Sequence, residues 1–351
     1  MNLISKKKKV YPLQNELRKY LIKYGREKKV PLSYHDLKNY DECIPLLDSE
    51  GKDTLWIQVL YRPGIMQEIH EGLKKIYSIL KAGGDLSVMK HLRIDRVDLC
   101  LYANTAPFRI RVVNMLNENF DYFYVKLADA SRVYGLELEH LLSPNKVDYL
   151  VHQDTLIEEH IIGIPADVFL KKNLNGRHFE ETRIAKEFVK FNERCFVRLL
   201  GDMHAGNFVI AITQDFEEVH YRMRSIDFDQ QSYEKRKSVY LPQYFKQNKM
   251  LVELVQRNLT LESIHQYQSE ERALIMHRIR NSRYQIKDLL DEMMKENLSP
   301  PEHIENLAQE LAKHYNHPDF IKCKSMGALV RTSLRVLIKK TAHQNLTQNS
   351  K

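Results

Sequence analysis

Two short stretches of this sequence hold oxygen-bearing side chains at a spacing that suits phosphoryl transfer. In the first stretch, Asp202 follows an apolar run, and Asn207 comes five residues later, directly before a strand-like segment. In the second stretch, Asp227 follows another strand-like segment. Phosphoryl transfer consists mostly of positioning and charge neutralisation, so it needs a carboxylate near the acceptor hydroxyl and oxygen ligands for magnesium. The residue types therefore predict that Asp202 orients the nucleophile, while Asn207 and Asp227 hold Mg²⁺.

A β-hairpin is predicted to position these three residues. Residues 208–213 and 219–226 carry the apolar pattern of strands, and a polar turn separates them. Asn207 stands before the first strand and Asp227 stands after the second, so their side chains converge with that of Asp202. The alternative is an ordinary polar turn followed by a capped strand. The presence of both motifs in this order disfavours that alternative.

This region, residues 199–230, resembles the catalytic loop and the metal-binding loop of the protein-kinase-like fold. The form is that of aminoglycoside phosphotransferases and choline-kinase-like enzymes, and phosphoinositide kinases are similar too. Protein kinases usually carry a Lys two residues after the catalytic Asp, whereas His204 stands there in this sequence. The resemblance thus implies a kinase that uses ATP and Mg²⁺ to phosphorylate a hydroxyl of a small molecule or a lipid headgroup. A protein kinase is a further alternative.

An antiparallel meander is predicted upstream, from three β-rich runs separated by turn residues: 92–102, 108–115 and 120–127. In the kinase-like fold such a meander covers ATP, and its third strand carries the Lys that contacts the phosphates. Lys126 stands at that place. In the helix predicted at 131–142, Glu137 falls within the apolar arc, and a carboxylate there requires a cation. We therefore expect Glu137 to pair with Lys126, with Glu139 as the second choice.

The segment after the next two predicted strands, 147–151 and 155–162, resembles the hinge of the aminoglycoside phosphotransferase group. In that group, backbone groups just after an acidic residue bind adenine, and a Gly-x-Pro turn leads into the large lobe. The resemblance implies nucleotide contacts for four consecutive residues: Glu158, Glu159, His160 and Ile161.

The predicted fold class is α+β, a two-lobed protein-kinase-like fold with a small antiparallel β lobe and a larger, mostly helical lobe. Residues 1–90 are predicted to form a helical and mixed N-terminal extension, 91–162 the small lobe, and 163–351 the large helical lobe. Within these regions, strand 53–61 and helices 65–81 and 180–191 are indicated by their apolar periodicity.

The sequence departs from the kinase-like pattern at three places, and the missing glycines favour an inactive protein. The turn at 103–107 lacks glycine, so the usual backbone cradle for phosphates is missing. Leu200 stands where a His commonly precedes the catalytic Asp, and Asp229 replaces the Gly of the metal-binding loop. A catalytically inactive kinase-like module that binds a nucleotide or a partner is therefore the main alternative.

Composition favours a globular, cytoplasmic protein. The chain has 351 residues, of which 43% are hydrophobic, and no apolar run is long enough to cross a bilayer or to act as a signal peptide. The four cysteines, at positions 43, 100, 195 and 323, have no metal-binding spacing and are too few for a disulfide scaffold. We expect them to be reduced.

The net charge of +8 allows an anionic partner. Nucleic acid is disfavoured, because aromatic residues interleaved with Lys and Arg are not visible in the sequence. The predicted last helix has a basic polar face formed by Arg331, Arg335, Lys339 and Lys340. We expect this face to be solvated, with peripheral membrane contact as the alternative.

Overall fold

The computed structural model describes residues 8–103, 105–173, 179–215 and 218–348. The strands in these ranges are β1 Glu42–Leu47, β2 Asp53–Leu60, β3 Leu92–Cys100, β4 Phe108–Asn114, β5 Phe120–Leu127, β6 Tyr149–His152, β7 Thr155–Glu159, β8 Ile164–Pro165, β9 Phe208–Gln214 and β10 Val219–Ser225. The α-helices are α1 Asn15–Lys23, α2 Tyr34–Lys38, α3 Pro63–Lys81, α4 Ala130–Leu142, α5 Ala166–Asn173, α6 Glu181–Val197, α7 Lys249–Asn258, α8 Leu261–Asn281, α9 Arg283–Met293, α10 Pro301–Tyr315 and α11 Met326–Gln348. The chain divides into two compact units.

The first unit, here called the sheet unit, comprises Pro12–Asp129 and Val147–His160. Its seven strands are hydrogen-bonded in the order β1-β2-β3-β4-β5-β7-β6, and all neighbours are antiparallel. Strands β3, β4 and β5 form the predicted meander. Phe108 of β4 pairs with Leu99 on one side and Val125 on the other.

Helix α3 supplies much of the apolar core of the sheet unit. Its buried side chains recur at helical spacing, as predicted: Ile69, Leu73, Ile76 and Leu80. They belong to one cluster with Ile110 and Phe123 of the sheet, neither of which is exposed at all. Each such side chain contributes roughly 1.5–3 kcal/mol through its removal from water.

Within the first 90 residues, for which an N-terminal extension was predicted, β1, β2 and α3 belong to the sheet unit. Strand β2 was predicted, and it pairs with β3 through Trp56 and Cys100. Strand β1 was not predicted, because it is an edge strand that is largely exposed and contains Pro45, so it shows no alternating pattern.

The second unit, here called the helical unit, comprises the described residues of Met1–Tyr11, Ala130–Lys146 and Ile161–Lys351. It holds a three-stranded antiparallel sheet in the order β10-β9-β8. Helix α6 extends the predicted helix to Val197 and packs against α7, α8 and β10. The fold is therefore α+β as predicted, with an antiparallel sheet in the N-terminal half and a mostly helical C-terminal part.

Helix α4 lies in the helical unit, whereas the sequence placed it in the small lobe. Its side chains make contacts there: Glu139 forms an ion pair with Arg198, and Glu137 accepts a hydrogen bond from Gln285 Nε2 at 2.8 Å. The boundary at His160 and Ile161 lies two residues before the predicted one. In the described part of the chain, no helix is both long and apolar enough to cross a membrane.

Candidate functional site

The loop before β9 places Asp202 through backbone hydrogen bonds. The N–H of Gly201 donates to the Gln230 carbonyl at 3.1 Å, and the N–H of Asp202 donates to the Val239 carbonyl at 3.2 Å. A Cβ at position 201 would lie 3.1 Å from that Gln230 oxygen, so the close approach favours glycine. Asp202 has a φ of 61°, in the left-handed region that Asp tolerates better than most residues. The loop thus holds the carboxylate at a fixed position.

Asn207 lies beside Asp202. Its Nδ2 donates to the Asp202 carbonyl oxygen at 2.9 Å and lies 3.4 Å from Asp202 Oδ2. At the start of the hairpin, the N–H of Ile226 donates to the Asn207 carbonyl at 3.0 Å, next to the paired residues Phe208 and Ser225. Asn207 and the residues that follow β10 therefore lie at one end of the hairpin, as the sequence predicted.

Asp227 and Asp229 share a cation that the sequence did not reveal. Nη1 of Arg132, from α4, lies 2.8 Å from Asp227 Oδ1 and 2.8 Å from Asp229 Oδ1. The N–H of Asp229 also donates to Asp227 Oδ1 at 3.0 Å. A signal was present, since Arg132 stands four residues before Leu136 on the apolar side of its helix. A buried guanidinium requires carboxylate partners.

Helix α4, which carries Arg132, packs closely against residues 227–231, the candidate metal-binding loop. A Cβ at Gly135 would lie 3.0 Å from Phe228 Cβ and 3.1 Å from Gln231 Cβ. Ser131 Oγ donates to the Gln231 carbonyl. Because Phe228 lies between Asp227 and Asp229 in the chain, this packing fixes the loop and Arg132 relative to each other.

Negative charge accumulates around Asp202. Burial, together with the nearby carboxylates of Asp227, Glu234 and Asp229, raises the pKa of the Asp202 carboxyl to about 7. His204 does not offset this charge, because burial lowers its pKa and favours the neutral imidazole. The site is therefore suited to a cation or to a proton held on Asp202.

Lys126, predicted to contact the phosphates, is buried in the sheet unit. Its Nζ lies 2.7 Å from Glu158 Oε2, and the two side chains are only 9% and 6% exposed. Glu158, predicted as a hinge residue, is thus an ion-pair partner of Lys126. The predicted partner of Lys126, Glu137, belongs to the helical unit. The pairing of Lys126 with Glu137 stays a prediction.

The other hinge candidates are bound into the sheet unit up to His160. The N–H of Glu159 donates to the Asp148 carbonyl at 3.0 Å, and the N–H of His160 donates to the Tyr122 carbonyl at 3.3 Å. Glu159 Oε2 also pairs with Lys81 at 2.7 Å. These two amides are therefore occupied within the sheet unit, and Ile161 begins the last segment of the helical unit.

The oxygen chemistry of Asn207 and Asp227 fits magnesium. In the described part of the chain, no group of three or more His, Cys, Asp and Glu side chains could hold a metal ion. Magnesium does not require such a group, because it is usually bound through one or two carboxylates together with substrate phosphates and water.

Comparison with known proteins assigns no family. No protein-family model matches the sequence, and no curated protein matches it significantly.

Proposed function

We propose that this chain is an ATP- and Mg²⁺-dependent phosphotransferase with a two-lobed protein-kinase-like fold. The acceptor is a hydroxyl of a small molecule or of a lipid headgroup. One observation carries the proposal: Asp202 and Asn207 are hydrogen-bonded to each other, and the hairpin places Asp227 at the same end. These are the three oxygen side chains that phosphoryl transfer requires.

Asp202 is the proposed general base of this site. Asp202 accepts the proton of the acceptor hydroxyl. The side-chain amide of Asn207 holds Asp202 in place through their hydrogen bond. A general base works best when its pKa lies near the operating pH, and the pKa of Asp202 is about 7. Burial, the first cause of that shift, also reduces competition from water.

Asn207 and Asp227 are the proposed metal ligands. Magnesium bound by these residues would neutralise charge on the phosphates of the nucleotide. His204 stands where protein kinases usually carry a Lys, which supports a non-protein acceptor over a protein substrate.

A thermal-shift screen of nucleoside triphosphates with and without Mg²⁺ tests the proposal. At a hundredfold excess over Kd, binding should add roughly 2.7 kcal/mol to the free energy of unfolding. We expect stabilisation by ATP only when Mg²⁺ is present. The absence of a shift with every nucleotide would contradict the proposal, and incubation with labelled ATP and a metabolite extract would identify the acceptor.

A second candidate function is a catalytically inactive module that binds a nucleotide or a partner. The ion pairs of Arg132 with Asp227 and Asp229 favour it, because a resident cation reduces the need for a metal. Equal stabilisation by ATP with and without Mg²⁺, together with no turnover, would support this candidate instead.

A further inference from the structure

We propose that a groove between α9 and α11 is a second binding site, which takes a small anionic amphiphile. Such a ligand has a short alkyl chain and one anionic group, a phosphate monoester or a carboxylate. The groove lies within the helical unit and has a volume of about 260 Å³. Ligand pockets in proteins usually measure roughly 300–1,000 Å³, so the ligand of this groove is small. The inference goes beyond the proposed function and does not depend on it.

Helix α9 lines the groove with cations and apolar side chains on one face. Arg283 and Lys287 stand one helical turn apart, and both are exposed. Ile286 and Leu290 lie on the same face, three and seven residues after Arg283, because residues at this spacing lie above one another on a helix. This face therefore offers positive charge beside an apolar surface.

Helix α11 faces the groove with the same pattern. Arg331 and Arg335 are again one turn apart, and Leu334 and Ile338 follow Arg331 by three and seven residues. The sequence indicated a solvated basic face for this helix. The structure places two of the cations of that face beside an apolar recess, opposite the two cations of α9.

The charges at the groove favour an anionic ligand. Among the described residues, the groove wall contains four cations and no Asp or Glu. Asp291 lies next to the wall, with Oδ1 3.0 Å from Arg331 Nη1 and Oδ2 3.9 Å from Lys287 Nζ. Arg283 and Arg335 are not part of these pairs. An anionic group in the groove would therefore meet a guanidinium from each helix, and hydrogen bonds between ionised groups are among the stronger ones.

The shape of the groove favours a small ligand over a bilayer or a partner protein. Ile286, Leu290 and Leu334 are only 3%, 6% and 3% exposed, so the apolar wall is recessed and does not protrude as insertion into a bilayer requires. Seven residues of helix span only about 10 Å. A groove of this length is too short for the roughly 800 Å² that each partner buries in a standard protein–protein interface.

Isothermal titration calorimetry with octyl phosphate tests the inference. Inorganic phosphate keeps only the anion of this ligand, and octyl glucoside keeps only its chain. We expect octyl phosphate to bind about tenfold or more tightly than either, because the site uses both parts of the ligand. Equal affinity for inorganic phosphate would show a plain anion site, and equal affinity for octyl glucoside a plain apolar patch. Either result would overturn the inference.

Vesicles of phosphatidylcholine, with and without phosphatidylserine, separate a free amphiphile from a membrane surface. Binding to the vesicles that contain phosphatidylserine, with no binding of octyl phosphate, would show membrane docking and overturn the inference. No binding of octyl phosphate or of either vesicle would overturn it as well. The proposed phosphotransferase function would stand in both cases, because it is tested by nucleotide and Mg²⁺.

Charge variants locate the binding of octyl phosphate. Arg283→Gln combined with Arg335→Gln should lower its affinity by about tenfold or more, because the ligand loses hydrogen bonds to charged groups on both helices. Arg283→Lys with Arg335→Lys keeps both charges and should retain most of the affinity. The matched control is Arg222→Gln with Arg280→Gln, which removes two exposed arginines that do not line the groove and should change nothing. Unchanged affinity in the first variant would place the ligand elsewhere and overturn the inference.

Discussion

The side-chain amide of Asn207 lies 2.9 Å from the backbone carbonyl of Asp202 and 3.4 Å from its carboxylate. This contact links the proposed base to a proposed metal ligand within one short loop. The loop is in turn joined to the end of β10 by the hydrogen bond from Ile226 to Asn207. Displacing any one of these groups should therefore disturb the others.

Asp202 and Asp227 should have separable roles. We expect Asp227→Ala to abolish metal-dependent nucleotide binding, because it removes a ligand oxygen. Asp202→Ala should leave that binding nearly intact and slow ATP turnover by about 10²–10⁴-fold, the usual loss for a positioned base. Nucleotide titration and basal ATP hydrolysis measure the two effects, with the exposed Glu262→Ala as the control. The opposite pattern would show that the roles are wrongly assigned.

The pKa of Asp202 should make stability depend on pH. Because this pKa is raised from 3.8 to about 7, the folded protein keeps a proton that the unfolded chain releases between these values. The free energy of unfolding should therefore fall as pH rises through this window, and the loss should be complete above it. Asp202→Asn removes the titration, so its stability relative to wild type should increase by about 2 kcal/mol between pH 5 and pH 8. Urea unfolding of both proteins at pH 5 and pH 8 measures the difference in their free energies of unfolding. An equal difference at the two pH values would refute the prediction.

The buried pair of Lys126 and Glu158 should be strongly coupled. Lys126→Met should lower the free energy of unfolding by about 3–5 kcal/mol, because a buried carboxylate loses its cation. Combining it with Glu158→Gln should cost less than the sum of the two single changes. Lys19→Met is the control: its pair with Glu16 is exposed, so the cost should be below about 1 kcal/mol. Additive effects in urea unfolding would show that the two residues are independent.

Close packing at Gly135 should make its replacement costly. Alanine would normally stabilise a helix interior by about 1 kcal/mol relative to glycine. Here the added Cβ meets Phe228 at 3.0 Å, so we expect Gly135→Ala to destabilise the protein by about 1–3 kcal/mol. Gly64→Ala is the matched control, since a Cβ there meets nothing within 4 Å and should be tolerated. An unchanged or higher Tm for Gly135→Ala would show that α4 can move away from Phe228.

Local pattern was enough to predict the hairpin of β9 and β10, the meander, and most helices near the site. Their apolar periods and turn residues are encoded within a few neighbouring positions. Asp202, Asn207 and Asp227 could be grouped for the same reason, because a single hairpin connects them. The residue types alone then indicated oxygen-ligand chemistry.

Only the tertiary structure revealed the cation at Asp227 and Asp229, the pairing of Lys126 with Glu158, and the unit to which α4 belongs. Arg132 lies 95 residues before Asp227 in the chain. Its helix has apolar residues on most sides, so the sequence pattern does not specify which surface it packs against. Strand β1 could not be predicted from the sequence either, since an exposed edge strand shows no alternation of apolar and polar residues. A sequence pattern determines which faces are apolar, whereas the partner of each face, and hence the charges it brings together, depends on long-range packing.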